Sequence, residues 1–241
     1  MKKTFAAENI TLRFNMRILG RFMEIEILYE DKSLVVCKKP SGVPSQPDPS
    51  GQPDMLSALS ERYKNISLVH RLDTPTGGVM VFGLVPKATA KLCALVQDHE
   101  KFVKEYLAVV SKPPAEPRGQ MRDYLYHDKR TNKAFPTDGA RKGSKEAILD
   151  YSVLSTAENG HTLVLVRLHT GRTHQIRVQF ASRGMPLIGD GKYGSREKCP
   201  YIGLWAYRLT FPHPVLQKEI SISATPDMEM APWGEFTQDL I

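Results

Sequence analysis

His70-Arg71-Leu72-Asp73-Thr74-Pro75-Thr76-Gly77-Gly78, running on into Val79-Met80-Val81-Phe82-Gly83-Leu84-Val85, is the stretch that sets how this chain is read. An apolar run of strand character follows directly on a tight, glycine-containing turn. The turn carries one carboxylate, Asp73, and one guanidinium, Arg71. Its backbone groups need partners, so it is expected at the rim of a sheet rather than inside a core. There Asp73 would face whatever binds, with Gly77 and Gly78 letting a ligand approach closely.

On the N-terminal side, Ile25–Tyr29 and Leu34–Lys38 read as strands joined by Glu30-Asp31-Lys32-Ser33. Residues 44–54 are rich in Pro, Ser, Gly and Asp and read as a surface loop. Met55 to Tyr63 has helical spacing with Asp54 as its N-cap, and Ser67–His70 is strand-like. Residues 1–22 are a basic leader that fits an added strand, an arm or a lead-in equally well.

On the C-terminal side, Pro86–His99 reads as a helix with Ala88, Leu92, Leu95 and Val96 inward, and Phe102–Val110 as a strand. Residues 118–145 hold eight Lys or Arg against three Asp, with little apolar periodicity, which predicts a long basic loop. Strands follow over Ala147–Leu154 and Thr162–His169, then a helix from near Thr173 with Gly184 as its C′ residue, then a strand over Leu204–Phe211. From Lys218 onward the chain is expected to be peripheral. Strands dominate and helices are interleaved, which predicts an α+β fold on a mixed, largely antiparallel central sheet with flanking helices and loops. No composition shift marks a second domain, so residues 23–241 read as one.

With 241 residues and 41% apolar content, the chain can bury a full core. Lys and Arg number 33 and Asp and Glu 26, a net +7 that suits a polyanionic partner. Its three cysteines are distant and odd in number, which argues against a disulfide framework and for a reducing, cytoplasmic setting. No apolar run approaches the about 20 residues of a membrane span, so no membrane partner is expected. The histidines lack metal-ligand spacing, and no metal is expected.

Three clusters stand out as chemistry. The first is Asp73 with Arg71: a carboxylate kept ionised beside guanidinium groups can act as nucleophile or base. The second is Thr170-Gly171-Arg172-Thr173-His174-Gln175-Ile176-Arg177, with two arginines, a His and a Gln at a helix start, where anions are favoured. The third is Lys104-Glu105-Tyr106-Leu107-Ala108, where Tyr106 either packs in a core or stacks on a nucleobase.

Taken in order, His70-Arg71-Leu72-Asp73, Thr76-Gly77-Gly78, Lys104-x-Tyr106-x-Ala108, Thr170-Gly171-Arg172-x-His174-Gln175-Ile176-Arg177 and Pro186-Leu187-Ile188-Gly189-Asp190-x-Lys192-Tyr193-Gly194 resemble the motifs of the RluA-type pseudouridine synthases. The resemblance covers about residues 24–225. It implies the pseudouridine synthase catalytic fold with an RNA-binding cleft across the sheet, isomerisation of uridine in ribosomal or transfer RNA, and no cofactor. It also implies catalytic roles for Asp73, Tyr106 and Arg177. Asp73 would be the essential carboxylate, Tyr106 would pack on the target uracil, and Arg177 would pair with Asp73 and hold it anionic. Arg71 would fill the gap left by the flipped uridine, and His70, Arg172, His174 and Gln175 would contact substrate.

Two positions depart from the family pattern. Gly77 stands where Ser is frequent, and Gln179 stands where His is frequent. Many relatives carry a small N-terminal RNA-binding domain for which the leader leaves no room. Substrate choice is therefore expected to rest on the catalytic domain, with residues 118–145 contacting an RNA stem-loop and a monomer as the default assembly. The alternatives are an inactive RNA-binding or chaperone module of the same fold, and a hydrolase. The hydrolase would need a second acid across the bond, and Asp190, flanked by glycines, reads as a structural turn.

Overall fold

In the computed structural model, residues 12–18 and 21–237 are described, with side chains from Ile25 onward. Elements in chain order are β1 (Leu12–Ile18), β2 (Arg21–Glu30), β3 (Leu34–Lys39), α1 (Met55–Ser60), β4 (Ser67–Leu68), β5 (Gly77–Gly83), α2 (Pro86–Leu95), β6 (Val103–Val110), β7 (Arg118–Asp128), β8 (Lys133–Thr137), β9 (Ser144–Thr156), β10 (Thr162–Leu168), α3 (Gln175–Ser182), β11 (Leu204–Pro212) and β12 (Glu219–Ser223). This is a strand-rich α+β fold, as the strand and turn pattern led one to expect. The chain divides into two compact units, Met1–Lys104 with Ala206–Ala224 and Glu105–Trp205 with Thr225–Ile241. Two of the crossings fall inside strands β6 and β11. No linker composition could mark them, which is why the sequence reads as a single domain.

In the first unit the strand order is β1-β2-β3-β5-β11, with β4 on β5 and β12 on β11. Neighbours β1/β2, β2/β3, β3/β5 and β11/β12 run antiparallel. Residues 12–18 of the leader are thus an added strand; residues 1–11, 19 and 20 lie outside the described residues. All seven residues of β5 are buried, so it reads as a continuous apolar run rather than an alternating one. Val36, Val79, Val81, Leu92, Val96, Phe102, Leu209 and Phe211 form the core, with Phe102 and Phe211 stacked at 5.0 Å. Asp54 caps α1 by accepting from the Ser57 N–H at 3.0 Å. That helix ends at Ser60, short of Tyr63, whose hydroxyl instead donates to Glu30 at 2.8 Å. The segment after Lys218 is not peripheral: β12 pairs with β11 and buries Ile220 and Ile222.

In the second unit the order is β6-β10-β9-β7-β8, antiparallel throughout. Residues 118–145 are a β-hairpin with a short loop, not the long basic loop expected. The apolar positions are few but correctly spaced: Met121 and Leu125 on β7 and Ala134 on β8 face inward. Leu125 and Ala134 meet Ala147 and Val178. Helix α3 packs against β7 and β8. Its Gln179, fully buried, donates to the Asp123 carboxylate at 2.7 Å and lies 3.3 Å from the Met121 and Ala147 carbonyls. An amide suits that place, tying the helix to two strands without bringing a charge into the core.

Candidate active site

The Asp73 turn is clamped on both sides. On the N-terminal side, the buried Ser45 hydroxyl donates to the Leu72 carbonyl at 2.8 Å and accepts its N–H at 3.0 Å. On the C-terminal side, the Thr74 carbonyl accepts from the Gly42 N–H at 2.9 Å and from the Lys39 ammonium at 3.1 Å. The turn closes on itself through Thr76 N–H to the Asp73 carbonyl at 2.9 Å. Asp73 is half-buried at this rim and Arg71 is exposed.

Gly78 has φ near +119°, and a Cβ there would stand 2.2 Å from the Ala206 carbonyl oxygen. The space beside Gly78 is therefore filled by β11, not kept for a ligand as the sequence suggested.

Lys39 is fully buried, and its ammonium donates to the carbonyls of Pro40, Val43 and Thr74. Burial pulls its pKa down from 10.5 to about 7, and the Asp73 carboxylate pulls the other way. Lys39 thus fastens the turn and places positive charge in the field of Asp73. His70 is engaged by the fold itself. Its Nε2 accepts the Val81 N–H at 3.2 Å, and its ring stands edge-on to Phe102 at 6.0 Å. Burial, with help from the Lys104 ammonium, lowers its pKa to about 3, so the imidazole is neutral with its proton on Nδ1.

In the second unit Tyr106 sits on β6 opposite Val166 of β10 and is 8% exposed. Arg177, on α3, forms a two-point ion pair with Asp190, Nε to Oδ2 and Nη2 to Oδ1 both at 2.7 Å. Its guanidinium lies over the Tyr193 ring at 5.1 Å. The Tyr193 hydroxyl accepts the Ala134 N–H at 2.8 Å and lies 2.8 Å from His174 Nδ1. His174 precedes α3 in the left-handed region, φ 53°, which turns the chain sharply into the helix.

Gln175 and Arg172 are used by the loop. Gln175 Oε1 accepts from the Thr170 hydroxyl at 2.7 Å and the Arg172 N–H at 3.0 Å, while its Nε2 donates to the Ile148 carbonyl at 3.0 Å. The Arg172 Nε donates to the Glu146 carbonyl at 2.7 Å. Asp73, Arg71 and His70 therefore belong to the first unit, and Tyr106, Arg172, His174, Gln175 and Arg177 to the second.

Across residues 33–182 the sequence matches the family model for RNA pseudouridylate synthase. This chain belongs to that family. It is 36% identical over 213 residues to an RNA pseudouridine synthase of Aquifex aeolicus, covering 79% of this chain and 66% of the relative. It is 32% identical over 207 residues to the dual-specificity RNA pseudouridine synthase RluA of Pasteurella multocida, covering 84% and 93%. The fold is also that of human RNA pseudouridylate synthase domain containing 1, with a TM-score of 0.73 at 23% identity over 87% and 86% of the two chains. The chain thus spans about two thirds of the Aquifex relative and nearly all of the Pasteurella one.

The span that matches the pseudouridylate synthase model holds Asp73, Tyr106 and Arg177 and stops short of Asp190 and Tyr193. Sequence reasoning passed over Lys39, Ser45 and Tyr193 and took Asp190 for a turn former. Lys39 had one signal, a second lysine closing the apolar run Leu34-Val35-Val36-Cys37. Asp190 had its glycine frame, and nothing local in the sequence names Arg177 as its partner.

Proposed function

We propose that this chain isomerises uridine to pseudouridine in ribosomal or transfer RNA, with Asp73 as the essential carboxylate. The observation that carries the reading is the double clamp on the Asp73 turn, which holds one acid at a sheet rim through Ser45 on one side and Lys39 on the other. A group that reacts once in a fixed geometry gains from such preorganisation. In the reaction the N1–C1′ bond breaks, the uracil turns, and a C5–C1′ bond forms. The C5 proton leaves to water and N1 takes one up, so no oxidant or reductant is consumed.

In this mechanism Arg177 keeps its two-point pair with Asp190, and Tyr106 offers a flat face to the everted uracil. Arg71, exposed beside the turn, occupies the gap left in the RNA stack. The β7–β8 hairpin and its following loop supply the RNA contact. Seven of the eight cations there are exposed, and Tyr126 and Phe135, facing each other across the hairpin, are exposed too. Arg141 lies over the Tyr126 ring at 5.4 Å and Lys133 over Phe135 at 5.6 Å. Cations interleaved with rings suit a phosphate backbone with unpaired bases.

The test is tritium release from RNA labelled at uridine C5. The wild-type chain is expected to release tritium without cutting the RNA or freeing uracil. Asp73→Asn is expected to bind RNA and release none. Free uracil would mark a hydrolase, and binding by the wild type without any release would mark a binding module.

A further inference from the structure

We propose that Lys104 is a phosphate-binding residue, its ammonium taking a backbone phosphate of RNA held at the Asp73 turn. The inference rests on RNA being the substrate. Lys104 lies on β6 and is only 7% exposed. Its ammonium sits 5.6 Å from the Phe102 ring centroid and forms no ion pair or hydrogen bond with a described residue. Its charge acts on His70, which burial keeps neutral and which is therefore no counter-ion. Burial alone lowers the lysine's pKa, to about 8.

The contrast with Lys39 decides the reading. Lys39 is more deeply enclosed, and three carbonyls receive its protons, so it fastens a turn. Lys104 makes no such bond to any described residue. An ammonium on so enclosed a side chain is partly desolvated, a cost to the fold that an apolar side chain of the same length would remove. The face of Phe102 offsets part of that cost and leaves the charge uncompensated. Lys104 acts electrostatically on His70, three residues before Asp73 on the same peptide. A cation held unpaired next to the segment that presents the carboxylate is fitted for an anion brought from outside, and the anion that RNA brings is its phosphodiester.

The experiment uses the full chain and total ribosomal and transfer RNA from cells lacking this enzyme, with Lys104→Met, Lys104→Arg and the wild type compared for binding over a salt series and for thermal unfolding. With one phosphate left unneutralised, Lys104→Met is expected to lower the slope of log affinity against log salt by about 0.7–0.9 and to weaken binding about tenfold at low salt. Lys104→Arg is expected to keep the wild-type slope. Lys104→Met is expected to melt at the wild-type temperature or about 2–4 °C above it. A lysine that merely supports the fold gives the opposite pattern, a lower melting temperature with the salt slope unchanged, and that result overturns the proposal. So does an unchanged slope at unchanged stability. A wild type that binds with the full slope but releases no tritium sinks the isomerase reading and leaves the phosphate contact standing.

Discussion

Arg177 and Asp190 are 5% and 1% exposed, and two 2.7 Å contacts join them edge to edge. Removing the carboxylate takes two short charged contacts from a buried guanidinium, and breaking such a pair typically costs about 3–5 kcal/mol. Asp190→Ala is therefore expected to lower unfolding free energy by about that amount in urea titration; a fall of under about 1 kcal/mol would mean the arginine relaxes into solvent. Lys39 gives a pH signature. Its folded pKa of about 7 lies below its ordinary 10.5, so between those values the unfolded chain binds more protons than the folded one. Its desolvation cost is full below pH 7 and relieved as pH rises toward 10.5. The stability of wild type relative to Lys39→Met is expected to rise through about pH 7–10, by at most about 1.4 kcal/mol per pH unit. A flat difference in parallel urea titrations would show that the amine stays protonated. Asp73, Tyr106 and Arg177 were nameable as candidates from motif order. Lys39 and Asp190 were not, because their roles depend on carbonyls and a guanidinium that only folding brings to them.

At the scale of elements, β5 shows what strand patterning can and cannot reveal. Its unbroken apolar run predicted a strand, and the glycines before it predicted a turn, but the reason for Gly78 is the backbone of β11, far along the chain. Gly78→Ala would need both a left-handed-side φ of +119° and room that the Ala206 carbonyl occupies. It is expected to unfold the protein at a melting temperature at least about 5 °C lower, or to prevent soluble expression. A melting curve matching wild type would mean β11 gives way. The β7–β8 hairpin escaped sequence reading for a different reason. Only Met121, Leu125 and Ala134 point inward, and the charges between them hide a period of two. Helix α3 was placed within two residues because Gly184 ends it at φ 72°.

For the molecule as a whole, charge is the feature that scales. The chain carries +7, and residues 118–145 contribute eight cations against three acids. If the hairpin is the RNA contact, replacing Arg122, Lys129, Arg130, Arg141 and Lys142 with Gln should weaken RNA binding at low salt. It should also flatten the salt dependence by about 0.9 for each phosphate no longer neutralised. Equal affinity and slope in filter-binding titrations would remove the hairpin from recognition. The two-unit construction itself was not legible in the sequence. Strands β6 and β11 each contribute to both units, so the boundary leaves no mark in composition.

The most direct measurement is a transcriptome-wide map of pseudouridine in cells carrying the wild-type chain, Asp73→Asn, or neither. Discrete uridines in ribosomal or transfer RNA should be modified with the wild type and remain uridine in the other two. A map identical in all three, or full modification with Asp73→Asn, would contradict an isomerase built on that carboxylate.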